Sequence, residues 1–168
     1  MKIFLQTNII VITLFLFVSC LQKQPNKTHS TVVHSIEGKV IFIKDGDTYT
    51  ISCNEDVKTI RLEHIDCPEK KQPFGNKAKE FAYNLCLGKP VIIKTKGKTD
   101  RNNRLLGEVI LKDGTNINQE LVKNGLAWHF KKYSDDSEYA RLEIEARRNQ
   151  IGIWSESNAT APWTWRKK

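Results

Sequence analysis

Strand-like patterning of apolar and polar positions begins at Gly38. Gly38-Lys39-Val40-Ile41-Phe42-Ile43 is β-branched and aromatic, and Asp45-Gly46 after it is a hairpin turn signal. Thr48-Tyr49-Thr50-Ile51-Ser52 continues the hairpin, and Val57 to Ile65 reads as a third strand that runs into Asp66 and stops at Pro68. After Pro73 the period changes. Ala78, Phe81, Ala82 and Leu85 fall at helical spacing between Lys77 and Leu85, and Gly88 closes the segment. Val91-Ile92-Ile93 predicts a fourth strand and Leu105 to Leu111 a fifth, followed by a turn at Asp113-Gly114. Asn118 to Lys123 predicts a short helix ending at Gly125. Asp135 to Asn149 predicts a charged amphipathic helix capped by Ser134 or Asp135, with Glu143 and Arg147 spaced as an i, i+4 pair. The tryptophan-rich tail from Ile151 to Trp165 is expected to dock on the body by packing. Five strands with one helix between the third and fourth, then helices, predict an α+β fold: a five-stranded OB-like β-barrel with three α-helices.

Upstream of this domain the pattern is different. Lys2 is the one charge before Lys23, and Ile9 to Val18 is an almost unbroken apolar run ending at Ser19-Cys20. A charged start, an apolar middle and a small residue before the cut read as a secretory signal peptide over residues 1–19. The run is short of the roughly 20 apolar residues a spanning helix needs. Cys20 after a small residue resembles a bacterial lipoprotein signal, which implies lipid on Cys20 and a membrane anchor, although Phe17 stands where leucine is usual. An ordinary cleaved signal or an uncleaved anchor is the alternative. Residues 20–35 are polar and without periodicity, and read as a tether. The domain is expected over residues 36–168, one unit long enough for a real core and expected to be a monomer.

The formal charge of the chain is +8, so a basic, exported domain has a polyanion as its natural partner. Cys53, Cys67 and Cys86 have no zinc-like spacing and no histidine paired with them in sequence, which argues against a zinc site or a cysteine nucleophile. Whether any two of them form a disulfide stays open.

The chemistry-bearing residues are Asp45-Gly46-Asp47-Thr48, Arg61, Asp66-Cys67-Pro68-Glu69 and Arg104. Carboxylate oxygens suit Ca²⁺ or Mg²⁺. Arginine forks match phosphate oxygens and the charge that develops in phosphoryl transfer. Each piece alone is an ordinary turn or strand exit. Their order is more specific. D-G-D-T, then R-x-x-x-x-D-x-P-E, then D-x-x-x-R, with a G-K-x-V strand, V-x-x-G-L-A at Val122 to Ala127 and Ile153-Trp154, resembles the staphylococcal nuclease (thermonuclease) family over roughly residues 36–156.

That resemblance implies a calcium-dependent nuclease acting on DNA or RNA with little sequence preference, leaving 3′-phosphate and 5′-hydroxyl ends. It implies that Asp47, Asp66 and the backbone carbonyl of Cys67 hold Ca²⁺. It implies that Glu69 orients or deprotonates the attacking water, and that Arg61 and Arg104 clamp the scissile phosphate. Arg101, Lys131 and Tyr133 are expected to contact nucleic acid. The family's D-[KR]-Y-G-R reads Asp100-Arg101-Asn102-Asn103-Arg104 here, where Asn103 can take the left-handed conformation of the absent glycine but Asn102 removes an aromatic wall. Base stacking is worth about 1–3 kcal/mol per base, so weaker substrate binding is expected. Strict alternation would place Arg61 and Asp66 on opposite faces of one strand, so convergence requires a bend or bulge near residues 63–66. The rival reading is a non-catalytic OB-like module that binds nucleic acid or glycan without cutting it.

Overall fold

The structure is a computed structural model that describes residues 32–54 and 56–167. The signal segment, Cys20 and most of the tether lie outside the described residues. The first strand, β1 (His34–Asp45), opens two residues before the expected start of the domain. Its first half pairs antiparallel with β5 (Pro90–Thr95), and its second half with β2 (Thr48–Cys53). Serving two neighbours requires a bend, and register shifts between Val40 and Phe42 and between Ile43 and Asp45 provide it. Asp45 pairs with Thr48, so the hairpin connection is Gly46-Asp47, one residue later than the turn signal.

β2 pairs antiparallel with β3 (Asp56–Leu62), and β5 with β6 (Leu105–Leu111). A parallel seam between β3 and β6 closes the barrel in the order β1-β2-β3-β6-β5. Val40, Ile51, Ile60, Leu62, Ile93 and Val109 are buried within one core cluster. Each such side chain stabilises the fold by about 1.5–3 kcal/mol.

The three expected helices form: α1 (Gly75–Cys86), α2 (Ile117–Lys123) and α3 (Ser137–Arg148). α1 buries Ala78, Ala82 and Cys86, and its small residues let it lie close on β1. The cap of α3 is Asp136, whose carboxylate accepts the N–H groups of Glu138 and Tyr139; neither Ser134 nor Asp135 serves. The i, i+4 pair of Glu143 and Arg147 forms at 3.3 Å.

The tail contains a 3₁₀ turn (Gly152–Ser155) and a one-turn helix, α4 (Pro162–Trp165). It docks as expected, through aromatic contacts. Trp154 meets Trp128 edge-on at 4.4 Å between centroids, and Trp163 stacks on Phe130 at 5.1 Å and 6°. Cys53, Cys67 and Cys86 are all buried and free, so no disulfide joins them.

The third strand departs most from expectation. It stops at Leu62, and Ile65–Asp66 form a separate short strand, β4, paired with β7 (Trp128–His129). Between them His64 adopts φ +71°, a left-handed conformation that no alternation rule carries through. Buried Asn118 fixes the departure point. Its amide donates to the carbonyls of Glu63 and Gly107, and its oxygen accepts the N–H of Val109.

Candidate active site

The site lies where β1–β2, the β3–β4 break and the start of β6 meet. In the β1–β2 turn, Asp45 accepts the N–H of Asp47 in a local Asx turn. Asp47 is thereby aimed inward. One carboxylate oxygen accepts the N–H of Cys67 at 2.7 Å and the other the hydroxyl of Thr48 at 3.3 Å. Gly46 permits this approach, because a Cβ there would lie 2.8 Å from Cys67 Sγ. Burial and the neighbouring Asp47 charge push the Asp45 carboxyl above its ordinary range.

The left-handed turn at His64 brings Asp66 back toward Arg61. Arg61 Nη2 lies 2.9 Å from Asp66 Oδ1 and 3.3 Å from Asp47 Oδ2, while Nη1 donates to the carbonyls of Leu62 and Ile65. The bend required near residues 63–66 is present. Arg61 therefore pairs with the two buried acids. Burial opposes the Arg61 charge, yet Asp47 and Asp66 outweigh it and hold the guanidinium more basic than usual. Burial also raises the Asp66 carboxyl, in spite of its arginine partners.

Arg104 reaches the same region from the loop before β6. Asp100 orients it: Arg104 Nε and Nη2 donate to Asp100 Oδ2 at 2.8 and 2.6 Å. The other oxygen of Asp100 accepts the N–H groups of Asn102 and Arg104. Asn103 takes φ +57°, the left-handed conformation expected of it. Arg104 Nη1 then donates to Thr48 Oγ1 at 3.0 Å.

Glu69 follows Pro68 and is half-exposed, with its N–H donating to Gln72 Oε1. Gly75 lets α1 start beneath this loop, because a Cβ there would lie 2.0 Å from the Glu69 carbonyl oxygen. One member of the site was not foreseen. Arg166, just after α4, sends Nη2 to Asp66 Oδ2 and Nη1 to Glu69 Oε1, both at 2.7 Å. The same Nη1 lies 3.3 Å from Asp66 Oδ1. Arg104, Thr48, Asp47, Arg61, Asp66, Arg166 and Glu69 thus form one unbroken chain of polar contacts. A basic residue in a tail carries no local sequence signal for this position.

The expected nucleic-acid contacts divide. Arg101 is exposed on the loop that presents Arg104. Tyr133 is 68 % exposed, with its ring edge-on to Phe130 at 4.9 Å and Lys132 Nζ above its face. Lys131 is engaged elsewhere, since its Nζ lies 2.8 Å from the buried carboxylate of Glu143. Behind the β4–β7 pair, Ser134 Oγ joins His64 Nδ1 at 2.8 Å to His129 Nε2 at 2.9 Å, and His64 stacks on Tyr139.

Among the described residues no group of three or more His, Cys, Asp or Glu side chains is gathered closely enough to hold a metal ion. Asp47 and Asp66 nevertheless flank one guanidinium nitrogen from two sides. The two buried carboxylates offer oxygen donors alone, which fit a hard cation that keeps part of its shell as water or substrate oxygen.

The family profile described as Staphylococcal nuclease homologue matches residues 59–156. This chain is 38% identical over 133 residues to an uncharacterized endonuclease of Escherichia coli, covering 79% of this chain and 86% of that protein. It is 41% identical over 132 residues to an uncharacterized endonuclease of Haemophilus influenzae, covering 77% and 72% respectively. It is 36% identical over 140 residues to the micrococcal nuclease of Shigella flexneri, covering 77% and 80%. A profile match across more than half the chain, with relatives this similar over most of their length, places it by descent, and the barrel agrees: the chain belongs to the staphylococcal nuclease homologue family.

Proposed function

We propose that this protein is a calcium-dependent nuclease that hydrolyses phosphodiester bonds in DNA or RNA. The carrying observation is the single polar chain that joins Asp47, Asp66, Glu69, Arg61 and Arg104 from four separate segments. Asp47 and Asp66, with the carbonyl of Cys67, would hold the cation. Bound calcium supplies Lewis-acid polarisation of a phosphoryl oxygen and orients water. Glu69, half in solvent, accepts the proton of the attacking water at a carboxylate oxygen. Water oxygen bonds to phosphorus as the bond to the 5′ oxygen breaks, and that oxygen takes a proton from solvent, leaving a 3′-phosphate and a 5′-hydroxyl. Arg104, held by Asp100, and Arg61, braced by the Leu62 and Ile65 carbonyls, stabilise the charge that builds on the phosphoryl oxygens. Exposed Arg101 and Tyr133 lie outside that chain and contact substrate without reading a sequence, which supports loose specificity.

Export with lipid on Cys20 belongs to the same reading, supported by the apolar run before it. Metabolic labelling with a fatty acid, present in the wild type and lost in Cys20→Ser, tests it.

For the activity, the protein is incubated with plasmid, single-stranded DNA and RNA, in calcium or in chelator. Calcium-dependent degradation, lost in Arg61→Ala and Glu69→Ala and leaving 3′-phosphate ends, is the expected result. Tight binding without cleavage in any divalent ion overturns it in favour of a binding module.

A further inference from the structure

Arg166 forks onto Asp66, with Nη2 on Oδ2 at 2.7 Å and Nη1 near Oδ1 at 3.3 Å, and the same Nη1 holds Glu69 at 2.7 Å. Arg61 takes a second position on Asp66 Oδ1. Both oxygens of Asp66 are therefore covered by guanidinium. A divalent cation on Asp66 needs at least one of those oxygens facing it. The fork and the cation cannot both hold the same face of that carboxylate.

The tail that carries Arg166 has anchors of its own. Trp163 stacks on Phe130 and meets Trp128 edge-on at 5.5 Å, and Gln72 donates through Nε2 to the carbonyl of Thr160. Gln72 also accepts the N–H of Glu69, so one side chain ties the Glu69 loop to the tail. Arg166 is itself 43 % exposed, so it can swing into water while Trp163 stays seated. The Arg166 end of the pair is in contact with water, which competes for the guanidinium. A dication facing two carboxylates can displace it.

Resting on the calcium reading above, we propose that Arg166 is a built-in competitor for the cation position. The tail covers Asp66 and Glu69 when calcium is scarce and withdraws its guanidinium when calcium binds. Coupling of this kind is reciprocal: the factor by which the fork weakens calcium binding is the factor by which calcium loosens the fork. The tail then sets the calcium concentration at which the site opens, and until that point it keeps one Glu69 oxygen on Arg166.

Calorimetric titration of the protein with calcium alone, without nucleic acid, tests this. Arg166→Ala is expected to bind calcium about 3- to 10-fold more tightly than wild type. Arg166→Lys, which keeps the charge and loses the fork, is expected to recover most of that gain. Lys167→Ala removes an equal charge one residue away and is expected to change affinity much less. Equal affinity of wild type and Arg166→Ala, or an equal gain from Lys167→Ala, overturns the competition and leaves the calcium reading intact. Absence of calcium binding in both proteins overturns the calcium reading and the competition together.

Discussion

The carboxylate of Asp47 accepts the backbone N–H of Cys67 at 2.7 Å, a buried bond across 20 residues of sequence. It fixes the β1–β2 turn against the loop that carries Glu69, so one side chain serves both fold and site. Asp47→Ala leaves that N–H without a partner and Arg61 with one carboxylate fewer. A buried hydrogen bond to a charged group contributes about 1.5–3 kcal/mol. Urea denaturation of Asp47→Ala should show a loss of that size, together with loss of calcium binding. Asp47→Asn, which can still accept the bond, should recover part of the stability and none of the binding. Equal stability of the alanine variant and wild type would show that the bond is not holding the turn.

His64 is the residue that lets Arg61 and Asp66 meet. A β-branched side chain is poorly tolerated at φ +71°, and strain of this kind costs about 1–3 kcal/mol. His64→Val should lose stability in that range and most nuclease activity, because Asp66 is misplaced. His64→Gly frees the backbone but loses the bond to Ser134 and the stack on Tyr139, and should keep more activity than valine. The comparison of the two turnover rates is the measurement, and the reverse order would exclude the strand break as the cause.

Asp100 positions Arg104 without touching the other site acids. Burial pushes its carboxyl up, and the Arg104 side chain with the N–H groups of Arg104 and Asn102 outweighs it, holding the group below the usual carboxylate range. Asp100→Ala should lower kcat about 10- to 100-fold, the scale of a mispositioned catalytic group. The KM should change little, since Arg101 and Tyr133 are untouched. A fall confined to KM would place Asp100 in substrate binding instead.

His129 is buried, and burial depresses its proton affinity below the ordinary value, only partly offset by Glu143. Lys131, His64 and Asp136 also act on it, and Ser134 Oγ is its hydrogen-bond partner. Because the folded protein resists the proton, the unfolded chain binds more protons as pH falls below about 6.5. Stability should therefore be full above that pH and decline as pH falls toward the lower folded value. His129→Gln should flatten this limb of a pH series of urea midpoints. An unchanged slope would assign the limb to other groups.

The free thiols give a direct check of the packing. Burial raises all three, Cys86 to about 12. Cys53, Cys67 and Cys86 should resist a thiol reagent in the native protein and react together in denaturant. Mass spectrometry without reductant should find no bridge among them.

The barrel and the order of the site residues were legible from apolar patterning and turn chemistry, since each strand is local. What escaped was decided by contacts distant in sequence. The split at His64 cannot be read from alternation, because a single left-handed residue resets it without any glycine to announce it. Ser134 looked available as a helix cap, but two histidines claim its hydroxyl and Asp136 caps instead. Lys131 was expected to contact nucleic acid, but the buried carboxylate of Glu143, paired in sequence with Arg147, holds both cations. Arg166 had no periodic or motif context, and only docking of the tail by Trp163 brings it to Asp66.

The parallel seam of the barrel joins Ile60 to Leu105 and Arg61 to Leu106. Arg61 belongs to a hairpin-built unit, β1 to β3, whose partners are near in sequence. Arg104 arrives only when β6 closes a connection of more than 40 residues, a step opposed by chain entropy and slow to form. The two guanidiniums thus come from opposite sides of a long-range closure, Arg61 from the hairpin side and Arg104 from the β6 side. Competence to cleave is therefore expected to appear in refolding only with the sealing of that seam.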